Sequence, residues 1–236
     1  MSYRYLSRFY DRLIDFDYQG YMAHVGQVKG VRCLDLACGT GRFSRILAQA
    51  GALVEGVDLS EDMLQVAIET TRQAGLKVLY RQGNIADYVF TRPYQLVTVV
   101  CDGFNYVSPA SLPKAIKHVA DSLSSGGKLV FDISTPHKLK EVLGDNLYYE
   151  DEDDVTYFWQ NSLRTRAHSV DMQLTFFEPK GELYARYDEE QTQYWHTLSE
   201  VKTALDSAAL TLVSAVGEEG EPAKESDLRW IFTAQK

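Results

Sequence analysis

"VRCLDLACGTGRFSRIL" (residues 31–47) reads as an apolar strand carrying Asp35, a turn through Gly39 and Gly41, and the first turns of a helix. Glycines at such a turn let the backbone approach a ligand closely. A helix that starts near Gly41 aims its free amide groups and its positive dipole end at the same place.

Working outward, short apolar runs recur at "ALVEGVD", "LKVLYRQ", "YQLVTVVCD" and "KLVFDIS", the texture of strands buried on both faces of a parallel sheet. "SEDMLQVAIETTRQAG" is an amphipathic helix with Ser60 as N-cap, acids in its first turn, a stop at Gly75 and a core face of Met63, Leu64, Ala67 and Ile68. "SLPKAIKHVADSLSSGG" repeats the plan, with Gly126 and Gly127 as its expected stop. After residue 150 the pattern changes to period two with many aromatics, "VTYFWQNSL" and "VDMQLTFFEPKGELYARYDEEQTQYW", where "PKG" marks a hairpin turn. A helix, "TLSEVKTALDSAA", and two closing strands, "LTLVSAVGE" and "RWIFTAQK", follow. Repeated strand–helix–strand units predict an α/β fold, a Rossmann-like, doubly wound, seven-stranded and mostly parallel sheet with a small antiparallel β insertion after the fifth strand. The expected organisation is one domain over residues 1–236, with an N-terminal helical lid (1–30), a ligand-binding core (31–147), the insertion (148–198), and a closing helix and strands (199–236).

The 236 residues are 45% hydrophobic, enough for a continuous core, which excludes a disordered chain. A net charge of −9 opposes a phosphate backbone, so a nucleic-acid partner is not expected. No apolar run approaches the ~20 residues of a membrane span, and the start, "MSYRYLSRFYDRLI", is too aromatic and charged for a signal peptide; a cytoplasmic protein is expected. Cys33, Cys38 and Cys101 are too few and oddly placed for a disulfide framework, and they read as reduced thiols. The acidic run Glu150 to Asp154 reads as a solvated loop, and no cluster of acids has metal-ligand spacing.

Two ligands suit the opening stretch. A dinucleotide loop would follow G-x-G-x-x-G, but Ser44 stands at the third glycine. Asp35, four residues before Gly39, would repel a pyrophosphate and suits a cationic sulfonium. Asp58 ends the second strand in "EGVDLS", placed to accept from ribose hydroxyls, although it is also placed to cap the next helix. Together these favour S-adenosylmethionine as cofactor over NAD.

The motifs "LDLACGTGRFS" and "GVDLSEDML" resemble the first two motifs of the class I S-adenosylmethionine-dependent methyltransferases. "YDRLI" and "CDGFNYV" resemble a bacterial subgroup of small methyltransferases with an aromatic N-terminal lid and an antiparallel insertion. The resemblance covers most of the chain. It implies that Asp35, Ala37, Cys38, Gly39 and Gly41 hold the methionine part of the cofactor, Asp58 with Leu59 the ribose, and Asn84 with Ile85 the adenine. Asn84 replaces a more usual Asp, with Asp87 nearby, and Gln191 and Tyr194 replace a His-x-x-Arg pattern of the subgroup. The implied activity is methyl transfer to a small-molecule acceptor. A protein or RNA methyltransferase, a non-catalytic S-adenosylmethionine sensor and an NAD oxidoreductase stay open as alternatives.

Methyl transfer from a sulfonium needs alignment and exclusion of water more than acid–base chemistry. Asp102, after the fourth strand, is expected both to bind the cofactor and to act in catalysis, as a base or as a positioning group; its competing reading is a turn residue before Gly103. Asn105 and Tyr106 are expected to line the site, and Tyr10, also assigned to catalysis, to close it from the lid together with Asp11. His137 and His196 are alternative bases without a visible partner. Tyr157, Phe158, Trp159, Phe176 and Phe177 read first as packing and second as a cation cage.

Overall fold

The computed structural model describes residues 3–14, 16–90 and 92–236. Two short helices, α1 (Leu6–Leu13) and α2 (Met22–Val25), lead into β1 (Arg32–Leu36), α3 (Arg42–Gln49), β2 (Leu53–Asp58), α4 (Glu61–Gln73), β3 (Val78–Gln82), β4 (Tyr94–Val99), α5 (Leu112–Ser122) and β5 (Leu123–Ser134). The antiparallel strands β6 (Leu147–Glu152), β7 (Val155–Arg164), β8 (Ser169–Lys180) and β9 (Leu183–Tyr194) come next, then α6 (Leu198–Ser207), β10 (Thr211–Val216) and β11 (Arg229–Gln235). The seven-stranded sheet runs β10-β11-β5-β4-β1-β2-β3, with β11 antiparallel to both of its neighbours, β10 and β5. Chain order reverses between β4 and β1, which makes the carboxyl ends of these two strands the natural ligand crevice.

Alternation along the buried strands sends side chains into two cores. Leu34, Leu36, Val97, Val99, Leu129 and Phe131 pack with α5 and α6 on one face; Cys33, Val54, Leu96 and Val130 pack with α2 and α3 on the other. The insertion is a four-stranded meander, β6-β7-β8-β9. Its inner face, with Val155, Tyr157, Met172, Leu174 and Phe176, closes a third core against Leu6 and Phe9 of α1.

Helix α1 has no side-chain cap of its own, and its free amides are met from the insertion. The buried Glu189 of β9 accepts from the backbone N–H groups of Tyr5 (2.5 Å) and Leu6 (3.4 Å). At the other end of α1, Asp11 accepts from the Thr40 hydroxyl (2.5 Å) and lies 3.7 Å from Arg45. Helix α1 is therefore tied to both the insertion and the glycine loop.

Three local expectations are corrected. Gly126 and Gly127 do not stop a helix: α5 ends at Ser122 and both glycines lie in β5, where Gly126 donates to the Lys236 carbonyl and Gly127 accepts from the Lys236 amide. Ile68 is 53% exposed; the sheet ends at β3, so this side of α4 has no neighbour, and Thr71, bonded to the Tyr80 hydroxyl at 2.9 Å, takes the buried place. Glu150 to Glu152 are not loop residues but the end of β6, an exposed edge strand whose charges disfavour pairing with another sheet.

Candidate active site

The loop after β1 carries positive φ at Ala37 (54°), Gly39 (52°) and Gly41 (74°). A Cβ at Gly41 would collide with the Tyr80 hydroxyl and lie 3.1 Å from the Ala67 Cβ, so this glycine lets α3 start hard against β3 and α4. A Cβ at Gly39 would meet nothing within 4 Å; that glycine faces open space. Asp58 joins this loop to the next, its two oxygens accepting from the Gly39 amide (2.8 Å) and the Ser60 amide (2.8 Å). Ser60, not Asp58, caps α4, through the Met63 amide at 3.2 Å. Each Asp58 oxygen keeps a further lone pair for a ligand. Burial raises the Asp58 pKa above the ordinary aspartate value, against the pull of the Ser60 and Gly39 amides.

Asp35 lies lower. It is fully buried and pairs in register with Thr98 of β4, and its oxygens accept from the Ser44 hydroxyl (2.6 Å) and the Thr98 hydroxyl (2.7 Å). Its carboxylate is off the cavity wall and fastens the start of α3 to the sheet. Burial pushes its pKa up to about 6, against the two hydroxyl bonds. A raised carboxyl pKa adds stability that is full below the unfolded value of 3.8 and is lost as pH rises through about 6. Asp35→Asn should therefore remove a pH-dependent contribution of about 2 kcal/mol between pH 7 and 4. Urea melts of both proteins across that range test it; parallel stability curves would show that Asp35 has an ordinary pKa.

Between the loops lies a cavity of about 150 Å³. Its walls are Ala37 and Gly39 from the first loop, Asp58, Leu59 and Met63 from the second, Gly83, Asn84 and Ile85 after β3, and Cys101, Gly103 and Tyr106 after β4, under Tyr3 and Tyr10 of the lid. Of the cofactor residues expected from the sequence, Ala37, Gly39, Asp58, Leu59, Asn84 and Ile85 are brought together here. Asp35, Cys38 and Gly41 support the loop from behind, and Asp87 is not on the wall. The Asn84 side-chain oxygen accepts from the Ala86 amide (2.9 Å), shaping its own turn.

A second chamber, about 280 Å³, adjoins the first and shares Tyr3, Tyr10, Cys101 and Tyr106 with it. Asp102 stands on the wall of this chamber, not of the first. It and Cys101 both hold left-handed backbone (φ 68° and 62°), a costly pair for non-glycine residues. Asp102 accepts from the Ser134 hydroxyl (2.8 Å) and pairs with Arg229, whose guanidinium also pairs with the buried Asp132 and lies over the Phe16 ring at 4.8 Å. Burial would raise the Asp102 pKa, but Arg229, with Lys138 behind it, more than reverses this and holds the carboxyl below its usual range.

The other expected residues separate. Asn105 is buried and serves as a clamp, donating to the carbonyls of Ser134 and Tyr194 and accepting from the Ser134 amide, each at 2.9 Å. Tyr106 reaches the chamber and donates to Gln191 (3.3 Å). Tyr10 sits at the junction, 3.4 Å from the Cys101 sulfur, and burial holds its phenol far above the ordinary pKa, hence protonated. His196 is buried beneath the loop, 3.2 Å from the Phe104 carbonyl, with a pKa lowered by burial, and neither it nor His137 is on a cavity wall. Of the insertion aromatics, Tyr157 and Phe176 pack in the third core and Phe158 is exposed, while Trp159 lines the chamber.

Tyr3, Lys138, Gln193, Asp132 and Arg229 were missed in the sequence. Asp132 in "KLVFDIS" and Arg229 in "DLRWIF" did carry a signal, opposite charges inside runs that otherwise read as buried strands, which demand each other as partners.

Comparison with known proteins agrees with this architecture. The family pattern described as a methyltransferase domain matches residues 33–127. YqeM of Bacillus subtilis (strain 168), a protein that bears a methyltransferase name, is 33% identical over 209 residues, 87% of this chain and 84% of that one. The crystal structure of a S-adenosylmethionine-dependent methyltransferase from Clostridium acetobutylicum matches with a TM-score of 0.88 at 30% identity, over 99% of this chain and 98% of that one. The CcbJ methyltransferase from Streptomyces caelestis shares the fold, with a TM-score of 0.83 at 19% identity over 98% and 96% of the two chains.

The chain belongs to the class I S-adenosylmethionine-dependent methyltransferases, and S-adenosylmethionine is its cofactor. The residues of the first cavity fit that molecule: open space over Gly39, spare Asp58 lone pairs for hydroxyl donors, apolar Leu59, Met63 and Ile85 for a base, and tyrosine rings for a sulfonium. At about 150 Å³ the cavity is below the usual ~300–1,000 Å³ of a small-molecule site. Among the described residues no helix is long and apolar enough to cross a membrane, and no cluster of His, Cys, Asp and Glu is arranged to hold a metal.

Proposed function

We propose that this methyltransferase holds the adenosine of its cofactor with Asp58, Leu59, Asn84 and Ile85, holds the methionine part against Ala37 and Gly39, and methylates a small molecule bound in the adjoining chamber. The observation that carries this reading is the pair of cavities sharing Tyr3, Tyr10, Cys101 and Tyr106. A transferable group held in one would lie at the mouth of the other. The bound cofactor supplies a methyl group already activated on sulfur.

The protein's own task is then alignment and exclusion of water. The lid tyrosines cover the junction. Asp102, committed to Arg229 and held ionised, acts as a positioning residue and not as a base. Tyr10, protonated, orients by donating. The negative net charge argues against a nucleic-acid acceptor, and three free thiols agree with a cytoplasmic protein.

Calorimetry with S-adenosylhomocysteine tests the cofactor assignments. Asp58→Ala should weaken binding by about 1.5–3 kcal/mol for each charge-assisted hydrogen bond lost. Unchanged affinity would restrict Asp58 to tying the two loops together.

A further inference from the structure

The acceptor chamber is apolar along much of its wall, with Leu13, Leu143, Met172 and Leu174, and carries charged and polar side chains as well. Among the described residues its charged side chains are Asp102, Arg229 and Lys138. Arg229 is in direct contact with both Asp102 and the buried Asp132, and its Nε lies 3.6 Å from Glu218, so its charge is fully taken up by acids. Lys138, among the described residues, has no acidic partner within salt-bridge distance. Asp102 feels the charge of Lys138 without touching it, so the ammonium keeps its hydrogen-bond donors for an anion, whereas a cationic ligand approaching Asp102 would meet Arg229 in contact and Lys138 nearby.

The roof adds hydrogen-bond donors. Gln191 is 5% exposed, its side-chain oxygen is taken by Tyr106, and its Nε2 has no partner. The Trp159 indole Nε1 is likewise buried without a partner. Buried N–H groups left unmatched cost stability, and a structure retains them where something else accepts from them. Trp159 on β7 pairs with Leu174 of β8 and Gln191 on β9 with Met172, so their backbones stand about 12 Å apart at the usual strand spacing and rise. Oxygens at both ends of one ring-sized molecule would span that distance.

We propose that the methyl acceptor is a small carboxylate with an apolar body and a second oxygen group, with Lys138 as its counter-ion and the N–H groups of Gln191 and Trp159 as donors to its oxygens. The inference rests on the reading of the chamber as the acceptor site. It makes Lys138 a specificity-determining residue that sorts anions from amines.

The test uses the full chain with S-adenosylhomocysteine at saturation and matched probes on ring and alkyl bodies: benzoate, benzamide and benzylamine, then hexanoate, hexanamide and hexylamine. Binding is followed by calorimetry. The carboxylates should bind about tenfold or more tighter than their amides, and the amines weakest of all. Lys138→Met should abolish the preference, and Lys138→Arg should keep it. Amides or amines that bind as tightly as carboxylates, a preference that survives Lys138→Met, or no carboxylate bound on either body would overturn the proposal. The S-adenosylhomocysteine titration that precedes each run separates the two levels: without it the cofactor reading fails and this inference with it, whereas cofactor binding without anion preference removes only the inference.

Discussion

Arg229→Met should cost the fold about 3–5 kcal/mol, the scale of a buried ion pair broken from one side. Burial opposes the charge on Arg229, but Asp102 and Asp132 more than restore it, and the residue is held cationic. Without it two carboxylates are left a short distance apart, Asp132 fully buried with one oxygen that already lacks a partner. Each would then shift its pKa upward, so the variant's deficit should shrink as pH falls from 7 to 5 and protons neutralise them. Urea melts at both pH values measure this. Adding Asp132→Leu to Arg229→Met removes one stranded charge and should recover part of the loss. A deficit under about 1 kcal/mol for Arg229→Met, or one independent of pH, would mean that water already screens the cluster.

The cluster also marks where reading the sequence stopped. That Gly39 and Asp58 face one cavity was legible because the signal is local: each stands at or just past the carboxyl end of a strand, and their mutual bond joins the two adjacent turns. The same holds for Ser60 as the cap of α4 and for the alternation that sets the two cores. Asp35 was legible as important but not in its task, since its partner Thr98 is 63 residues away and only strand pairing brings them together. Gly126 and Gly127 carry the residue type of a helix stop; pairing with Lys236, 110 residues on from Gly126, makes them strand. Arg229 is farther still from Asp102, 127 residues along the chain. Periodicity reports which face of an element is apolar, and it is silent on which distant charge a buried charge will find.

Asp102→Ala should lower turnover by about 10²-fold or more while S-adenosylhomocysteine affinity stays within a few fold. Asp102 is on the wall of the acceptor chamber only, so the cofactor should be spared. Its bonds to Ser134 and Arg229 fasten a backbone in which two successive non-glycine residues, Cys101 and Asp102, hold positive φ. Aspartate tolerates that conformation better than alanine, and once the bonds are gone the loop should relax and shift Cys101 and Gly103 at the junction of the cavities. A displacement near 1 Å is enough for a loss of about that size. Asp102→Asn separates this role from base catalysis. An asparagine also tolerates positive φ and still accepts from Ser134 and Arg229, so it should recover a large part of the activity. Its pH–rate profile should keep the wild-type shape, because the wild-type carboxyl, held below its usual range by Arg229, stays ionised throughout the assay. Release of S-adenosylhomocysteine with the best acceptor from a metabolite library supplies the readout. If Asp102→Asn is as inactive as Asp102→Ala and loses the acidic limb of the profile, Asp102 takes the acceptor's proton itself and the positioning role is wrong.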